Sequence, residues 1–273
     1  MARRRESDRW RIKPRTKLDL SRIDTRSTAG APGDKQQTKD ASAVLRARLA
    51  QLQARLYAEG EQSLLLVLQA MDAGGKDGTV RSVFAGVNPQ GVRVVSFKAP
   101  SQEELAHDFL WRIHAQAPHH GEIAVFNRSH YEDVLVVRVH SLVPEEIWRP
   151  RYQRIRAFED LLTVANTKIV KVMLHISKEE QRERLQERVD DPVKRWKFNA
   201  GDLEERRYWD DYQAAFTEAI ARTTTHACPW YVVPGDRNWY RDWAVLTILV
   251  DTLERMDPRF PAAAEGVVGT IVE

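Results

Sequence analysis

Cysteine is almost missing from this chain. Cys228 is the only one in 273 residues, which excludes an intrachain disulfide and a cysteine-based zinc site. A reducing cytoplasm is the expected setting. Long apolar runs are also missing. The best of them, Leu64 to Leu68, has the length of a strand, far below the roughly 18 residues needed to span a bilayer. The arginine-rich start, Met1 to Arg15, leads into no apolar segment and reads as no secretory signal. Nor does one sign of charge dominate: 42 Lys+Arg against 39 Asp+Glu leaves +3, too little to make the whole surface a polyanion trap. What is present is a 42% hydrophobic fraction, too high for a wholly disordered chain, and length enough for one large α/β domain or two small ones.

Anion binding must therefore come from local clusters, and two stand out. One is the start of the chain, with Arg3, Arg4, Arg5, Arg9, Arg11, Lys13 and Arg15. The other runs from Arg182 to Arg207. Residues 1–40 are polar and read as an extended basic arm, 41–260 as one domain, and 261–273 as a loosely held tail. Leu45, Leu49, Leu52 and Leu56 recur at helical spacing and predict an amphipathic helix from Ala41 to Ala58, with Gly60 as its terminator. That helix suits core packing or a subunit contact.

Beyond Gly60 the pattern alternates. Strands are expected at Ser63 to Ala70, Val92 to Lys98, Glu122 to Asn127, Lys168 to Ile176 and Trp230 to Val233. Helices are expected from Thr79 to Ala85, from Ser101 (with Glu104, a capping box) to Ala115, and from Pro144 to Val164. Three more follow: one after the Ser177 and Glu180 cap, one from Leu203 to Thr223, and one from Trp239 to Met256. Strands separated by helices predict an α/β fold: a parallel five-stranded sheet with helices on both faces.

The best local signal is Gln69 to Gly78 (QAMDAGGKDG), between the first strand and a helix. Its glycines, Gly74, Gly75 and Gly78, let backbone N–H groups converge on an anion, the helix N-terminus adds its positive end, and Lys76 reaches phosphoryl oxygens as a mobile charge. An ordinary turn with a solvated lysine is the other reading. The match to the standard phosphate-loop pattern is imperfect: Ala70 replaces the first glycine and Asp77 the metal-holding hydroxyl. Asp72 adds a second carboxylate. Two carboxylates in a phosphate cradle repel the substrate unless a divalent cation lies between them, which points to Mg²⁺, with Mn²⁺ as its alternative.

The third strand runs into Phe126 to Asp133 (FNRSHYED). The carboxyl ends of parallel strands face the ligand crevice, so this segment lies near the glycine loop if the two strands are neighbours. Arg128 would then clamp a phosphoryl group, and Glu132 and Asp133 would hold metal or orient an attacking phosphate; a solvated acidic pair is the other reading. His119 and His120, between Pro118 and Gly121, lack metal-ligand spacing and read as a turn.

These two motifs, their spacing, and the later Asp191 to Phe198 (DPVKRWKF) resemble the family-2 polyphosphate kinases. The segment His130 to Asp133 looks like the class III subgroup. The resemblance covers most of the chain, through Pro229 to Pro234 and Asn238 to Tyr240. It implies a P-loop kinase fold with a helical lid, here at about 182–207. It also implies Mg²⁺-dependent, reversible transfer of the terminal phosphoryl group of inorganic polyphosphate to AMP and ADP, and a homo-oligomer, dimer or tetramer. By similarity Asp72, Lys76 and Asp77 match the first motif, and Arg128, Glu132 and Asp133 the second. Asp72 and Asp133 become the metal ligands and, with Lys76 and Arg128, the catalytic set; Asp77 and Glu132 are the nucleotide-binding pair. Asn127 stands where class I members carry an aspartate.

Polyphosphate carries about one charge per phosphate and needs a row of cations. Of those between Arg182 and Arg207, at least half of Arg182 to Arg188 read as i,i+4 surface pairs with Glu179, Glu180, Glu183 and Glu187. Lys194, Arg195 and Lys197 follow a proline break, have no acid among them and match the family's lid; Arg188 is a further candidate phosphate ligand. Trp196 and Phe198 are expected to pack the lid, with stacking on a base as the other reading, and Trp209, Trp230, Trp239 and Trp243 to be core or interface residues. Two other functions fit less of this. An ATP-dependent nucleoside monophosphate kinase lacks its hydroxyl after Lys76. A nucleic-acid-binding protein leaves the acids Asp72, Asp77, Glu132 and Asp133 unexplained, so no specific nucleic-acid or membrane partner is expected.

Overall fold

The computed structural model describes residues 5–265 and 267–271; Arg3 and Arg4 of the basic start, and Gly266, Val272 and Glu273 of the tail, lie outside the described residues. Five strands, β1 (Ser63–Ala70), β2 (Val92–Ser96), β3 (Ile123–Asn127), β4 (Thr167–His175) and β5 (Trp230–Pro234), form one sheet in the order β2-β3-β1-β4-β5. All four pairings are parallel, as alternation with helices requires. β1 is central and buried on both faces, which is why it reads as an unbroken apolar run. Its side chains alternate between two cores. Leu64, Leu66 and Leu68 join Leu49, Leu52 and Leu56 from α1 (Lys35–Glu59) on one face. Leu65 and Val67 face the other, with Phe126, Ile155 and Phe216.

The remaining helices are α2 (Lys76–Val83), α3 (Gln102–Ala106), α4 (Trp111–His114), α5 (Val136–Val139), α6 (Glu145–Trp148), α7 (Arg151–Val164), α8 (Lys178–Asp190), α9 (Gly201–Glu205), α10 (Trp209–Thr223) and α11 (Asn238–Met256). Two helices expected to be continuous are broken. After α3 the chain restarts at α4, because the Asp108 side chain and carbonyl capture the N–H groups of Leu110 and Trp111. Pro150, with no N–H to give, separates α6 from α7. The helix expected from Leu203 is likewise divided into α9, a 3₁₀ turn at Arg206–Tyr208, and α10. A 3₁₀ turn at His130–Val134 and α5 were not expected at all.

The first helix begins at Lys35, not Ala41, because Asp34 and Gln37 form a reciprocal capping box; Gly60, at φ 68°, ends it as expected. The boundary drawn after residue 40 therefore falls inside α1. The segment before it is extended but anchored. Trp10 is 4% exposed and Leu20 2% exposed. The Ile12 N–H donates to the Trp230 carbonyl at 2.8 Å, and the Val232 N–H to the Trp10 carbonyl at 2.9 Å. This covers the β5 edge that would otherwise be left unpaired. Trp209, Trp230 and Trp243 are buried and Trp239 partly so, as core residues. Among the described residues no helix is long and apolar enough to cross a membrane.

Candidate active site

The parallel register aligns Leu68 with Asn127, so the loop after β1 and the turn after β3 leave the sheet side by side. Arg128 follows at φ 64°, its N–H donating to the Leu68 carbonyl at 3.1 Å. Gly75 is αL at φ 93°, and a Cβ there would collide with the Arg241 guanidinium; α2 starts at the next residue, Lys76. A cavity of about 540 Å³ opens here. Its floor is the loop from Asp72 to Gly78, and Arg128 and Asn127 form one wall. Arg184, Arg188, Lys194, Lys197 and Asp202 close it from the lid side. Gly74, Gly75 and Gly78 all line it.

Opposite charges face each other across this floor. Arg128 Nη2 donates to Asp72 Oδ1 at 2.5 Å, and its Nη1 lies 3.4 Å from Glu132. Burial draws the guanidinium toward neutrality, but Glu132 and Asp72 outweigh it and raise its pKa. Asp77 accepts from Asn127 Nδ2 at 2.6 Å. Lys76 folds back, donating to the carbonyls of Ala70 at 3.1 Å and Met71 at 3.5 Å. Burial, then the nearby Arg128 charge, pull the Lys76 ammonium down to about 8 against Asp72, Glu132 and Asp77. An ammonium so placed gains from any anion that enters.

Asp133 does not join this group. Its carboxylate accepts from Arg151 at 2.9 Å, and the charges that act on it are those of Arg151, Arg112 and Glu132. Burial lifts the Asp133 carboxyl to about 6, with Arg151 and Arg112 holding it lower than burial alone would. The 3₁₀ turn is the cause: it aims Glu132 at Arg128 and turns Asp133 toward α7. Asp72 and Asp77 thus line the cavity floor together, and Asp133 is not among the residues that line it. Glu132 faces a separate small cavity of about 20 Å³ with Asp72, Arg128, Glu205 and Tyr212, so Asp77 and Glu132 do not share one wall.

The lid differs in detail from its expected form. Lys194 and Lys197 reach the cavity, but Lys194 is paired with acids, Glu187 of α8 at 2.6 Å and Asp191 just past its end at 3.2 Å. Arg195 caps the end of α8, donating to the Val189 and Asp190 carbonyls. Arg188 pairs with Asp202 at 3.0 Å. Trp196 does not pack the lid: it is 79% exposed. Among the cations of α8, Arg182 pairs with Glu179 on the surface as expected. Arg184 does not behave as a surface residue. It pairs with Glu180, yet its side chain is 13% exposed and donates to the carbonyls of Ala73 and Gly235. Arg184, Gln181, Asn238 and Arg241 all escaped the sequence reading, the first because its i,i+4 acid disguised it.

A hard cation fits the floor. Mg²⁺ takes one or two carboxylates and completes its shell with water and phosphate oxygens. Asp72 and Asp77 stand in a loop whose other groups suit phosphate. Among the described residues no three His, Cys, Asp or Glu side chains converge into a cage, and such an ion needs none.

The polyphosphate kinase 2 family model matches residues 33–261. An AMP/ADP-polyphosphate phosphotransferase of Meiothermus ruber is 56% identical over 263 residues, covering 95% of this chain and 98% of that protein. An ADP-polyphosphate phosphotransferase of Rhodopseudomonas palustris is 47% identical over 226 residues, 78% of each chain. The crystal structure of polyphosphate kinase 2 from Arthrobacter aurescens TC1 superposes with a TM-score of 0.93 at 45% identity, covering 97% of this chain and 94% of that one.

Proposed function

This chain belongs to the polyphosphate kinase 2 family, and from that premise we propose that it moves the terminal phosphoryl group of inorganic polyphosphate to AMP and then to ADP. The observation that carries the reading is the cavity itself: a glycine loop and Arg128 on one side, a cationic lid on the other, and carboxylates between them. An oxygen of the nucleotide phosphate attacks the terminal phosphorus. One P–O bond forms as the bridging P–O bond breaks, and the shortened polyphosphate leaves with the bonding pair. The attacking oxygen is already ionised near neutral pH, so no side chain need remove a proton, and positioning and charge neutralisation do the catalysis.

Lys76 leaves the Ala70 and Met71 carbonyls for the phosphoryl oxygens, and Arg128 exchanges Asp72 for the same group. Arg188, Lys194 and Lys197 draw the polyanion under the lid and exclude water, which favours transfer over hydrolysis. Asp72 and Asp77 would hold Mg²⁺, or Mn²⁺ in its place, and that ion supplies neutralisation of the phosphate charge. Glu132, beside Arg128 on the second cavity, is the candidate for nucleotide contact. Assembly into a homodimer or homotetramer belongs to the same proposal and is read by sedimentation.

The test is purified protein with long-chain polyphosphate, Mg²⁺ and AMP, without ATP, followed by nucleotide chromatography. ADP and then ATP appear, and EDTA abolishes both. Product only when ATP is supplied as donor would replace this reading with that of an ATP-dependent kinase.

A further inference from the structure

Helix α8 does more than carry lid cations. Gln181, in its first turns, is 1% exposed and lies beneath the glycine loop. Its Nε2 donates to the Asp72 carbonyl at 2.9 Å, while its Oε1 accepts from Arg206 Nη1 at 2.9 Å. Arg206 sits in the 3₁₀ turn by which the lid returns to the body, and its Nη1 also donates to the Lys178 carbonyl at 3.0 Å. One turn beyond Gln181, Arg184 Nη1 donates to the Ala73 carbonyl at 3.1 Å and Nη2 to the Gly235 carbonyl at 2.6 Å. Asn238 Oδ1 then accepts from both Arg184 and Arg241, and Arg241 abuts Gly75.

A phosphate loop works only if its carbonyl oxygens turn away from the anion, because each carries the wrong partial charge. In a trans peptide C=O and N–H point in opposite directions. A donor that holds a loop carbonyl from outside therefore fixes the amide beyond it. Ala73, with φ 57°, is in a conformation that a non-glycine residue keeps only when its surroundings enforce it. The carbonyls on either side of the Ala73 Cα, those of Asp72 and Ala73, are the two held by α8; the first orients the Ala73 N–H, and the second the Gly74 N–H, which closes the turn on the Met71 carbonyl at 2.9 Å. Gln181 uses both ends of its amide, its donor on the loop and its acceptor on the lid.

We propose that Gln181 and Arg184 are positioning residues that couple the lid to the phosphate loop, with Arg206, Gln181 and the Asp72 carbonyl as one hydrogen-bonded relay. The returning end of the lid then sets the orientation of the loop peptides, and a displaced lid leaves a loop that binds phosphate poorly. This deepens the proposed function and rests on its placing polyphosphate over the loop.

The test uses Gln181→Met, Arg206→Met and the double variant in the full chain. Each is assayed for the KM of polyphosphate, the KM of AMP, Tm, and calorimetric binding of tripolyphosphate. Gln181→Met, which keeps bulk and loses both hydrogen bonds, raises the polyphosphate KM and the tripolyphosphate Kd about tenfold. Tm stays within a few degrees. Arg206→Met gives a smaller rise in the same two constants, and the double variant is no worse than Gln181→Met, as members of one relay require. Unchanged tripolyphosphate binding in Gln181→Met overturns the proposal. So do multiplying effects in the double variant, or a loss of tripolyphosphate binding that comes only with a fall in Tm. Should Gln181→Met not fold, Arg206→Met at the partly exposed end decides: an unchanged Kd overturns the relay. A wild-type protein that binds tripolyphosphate yet makes no ADP from polyphosphate overturns the proposed function and leaves the relay standing.

Discussion

Two ion pairs in this molecule have nearly the same length and opposite fates. Lys171 on β4 lies 2.6 Å from Glu159 on α7, with side chains 0% and 2% exposed. Arg128 lies 2.5 Å from Asp72, with side chains 37% and 25% exposed. Lys171 spends its three donors on Glu159, the Tyr131 hydroxyl and the Thr223 carbonyl. Tyr131 in turn donates to Glu159, and Trp230 donates to Thr223. Burial pushes Glu159 up, and Lys171 and His130 together more than reverse it, so the carboxylate persists in the core. Around Arg128 and Asp72 the cavity remains open, and Lys76 holds only loop carbonyls. The saturated pair holds the body together beneath Tyr131, one residue from Glu132. The unsaturated one keeps its charge available to a ligand. What separates scaffold from site is whether every donor is already spent.

The sharpest break in that comparison comes from Lys76→Met. Turnover with polyphosphate falls about 10³-fold, near the top of the range for losing one transition-state donor, while the urea midpoint stays close to wild type. The same replacement in the core does the reverse. Lys171→Met leaves Glu159 buried without its cation and costs about 3–5 kcal/mol of stability. The double variant Lys171→Met/Glu159→Leu recovers most of it in urea unfolding. If Lys171→Met were silent, the saturation argument would fail.

A smaller effect appears on titration. Because the free Lys76 ammonium titrates near 8, below its ordinary range, the charge that greets polyphosphate is lost as pH rises through about 8. The KM of polyphosphate climbs between pH 8 and 9, whereas kcat at saturation holds to higher pH, since bound phosphate returns the proton affinity. Initial rates against polyphosphate at each pH check this.

The mildest change is expected at Asp133→Asn, with kcat within about tenfold of wild type, since Arg151 and not the cavity claims the carboxylate. Asp133 titrates near 6, above its ordinary 3.8, so the folded state holds its proton more tightly than the unfolded chain. Its contribution is present below about pH 4 and is lost as pH rises through 6. Urea unfolding between pH 4 and 7 should show that decline in the wild type and not in the Asn variant. A loss of turnover beyond 100-fold would return Asp133 to the metal.

Much of this was readable in the chain. The five strands, the glycine loop and the Arg128 turn carry short-range signals: an apolar run, a Gly-Gly-Lys turn, a capping box. Where the reading slipped, a distant group had decided the outcome. Trp196 looks like a packing residue because it is aromatic, yet it is exposed, with the Lys197 ammonium over its ring. Arg184 looks like a surface cation because Glu180 is four residues away, and its other four partners lie in the loop and beyond β5.

By itself the sequence determined the sheet, the location of the phosphate loop and the class of chemistry. Hydrophobic period, glycine placement and cation spacing act between neighbours in the chain, and they leave their mark there. Only the tertiary structure decided which carboxylates share the floor, which cations are already spent, and that α8 grips the loop through Gln181. Those depend on the direction in which a side chain leaves a turn, and on partners 50 to 110 residues away, as in Asp77 with Asn127 and Asp72 with Gln181. Such choices are made by packing, after the local rules have been satisfied.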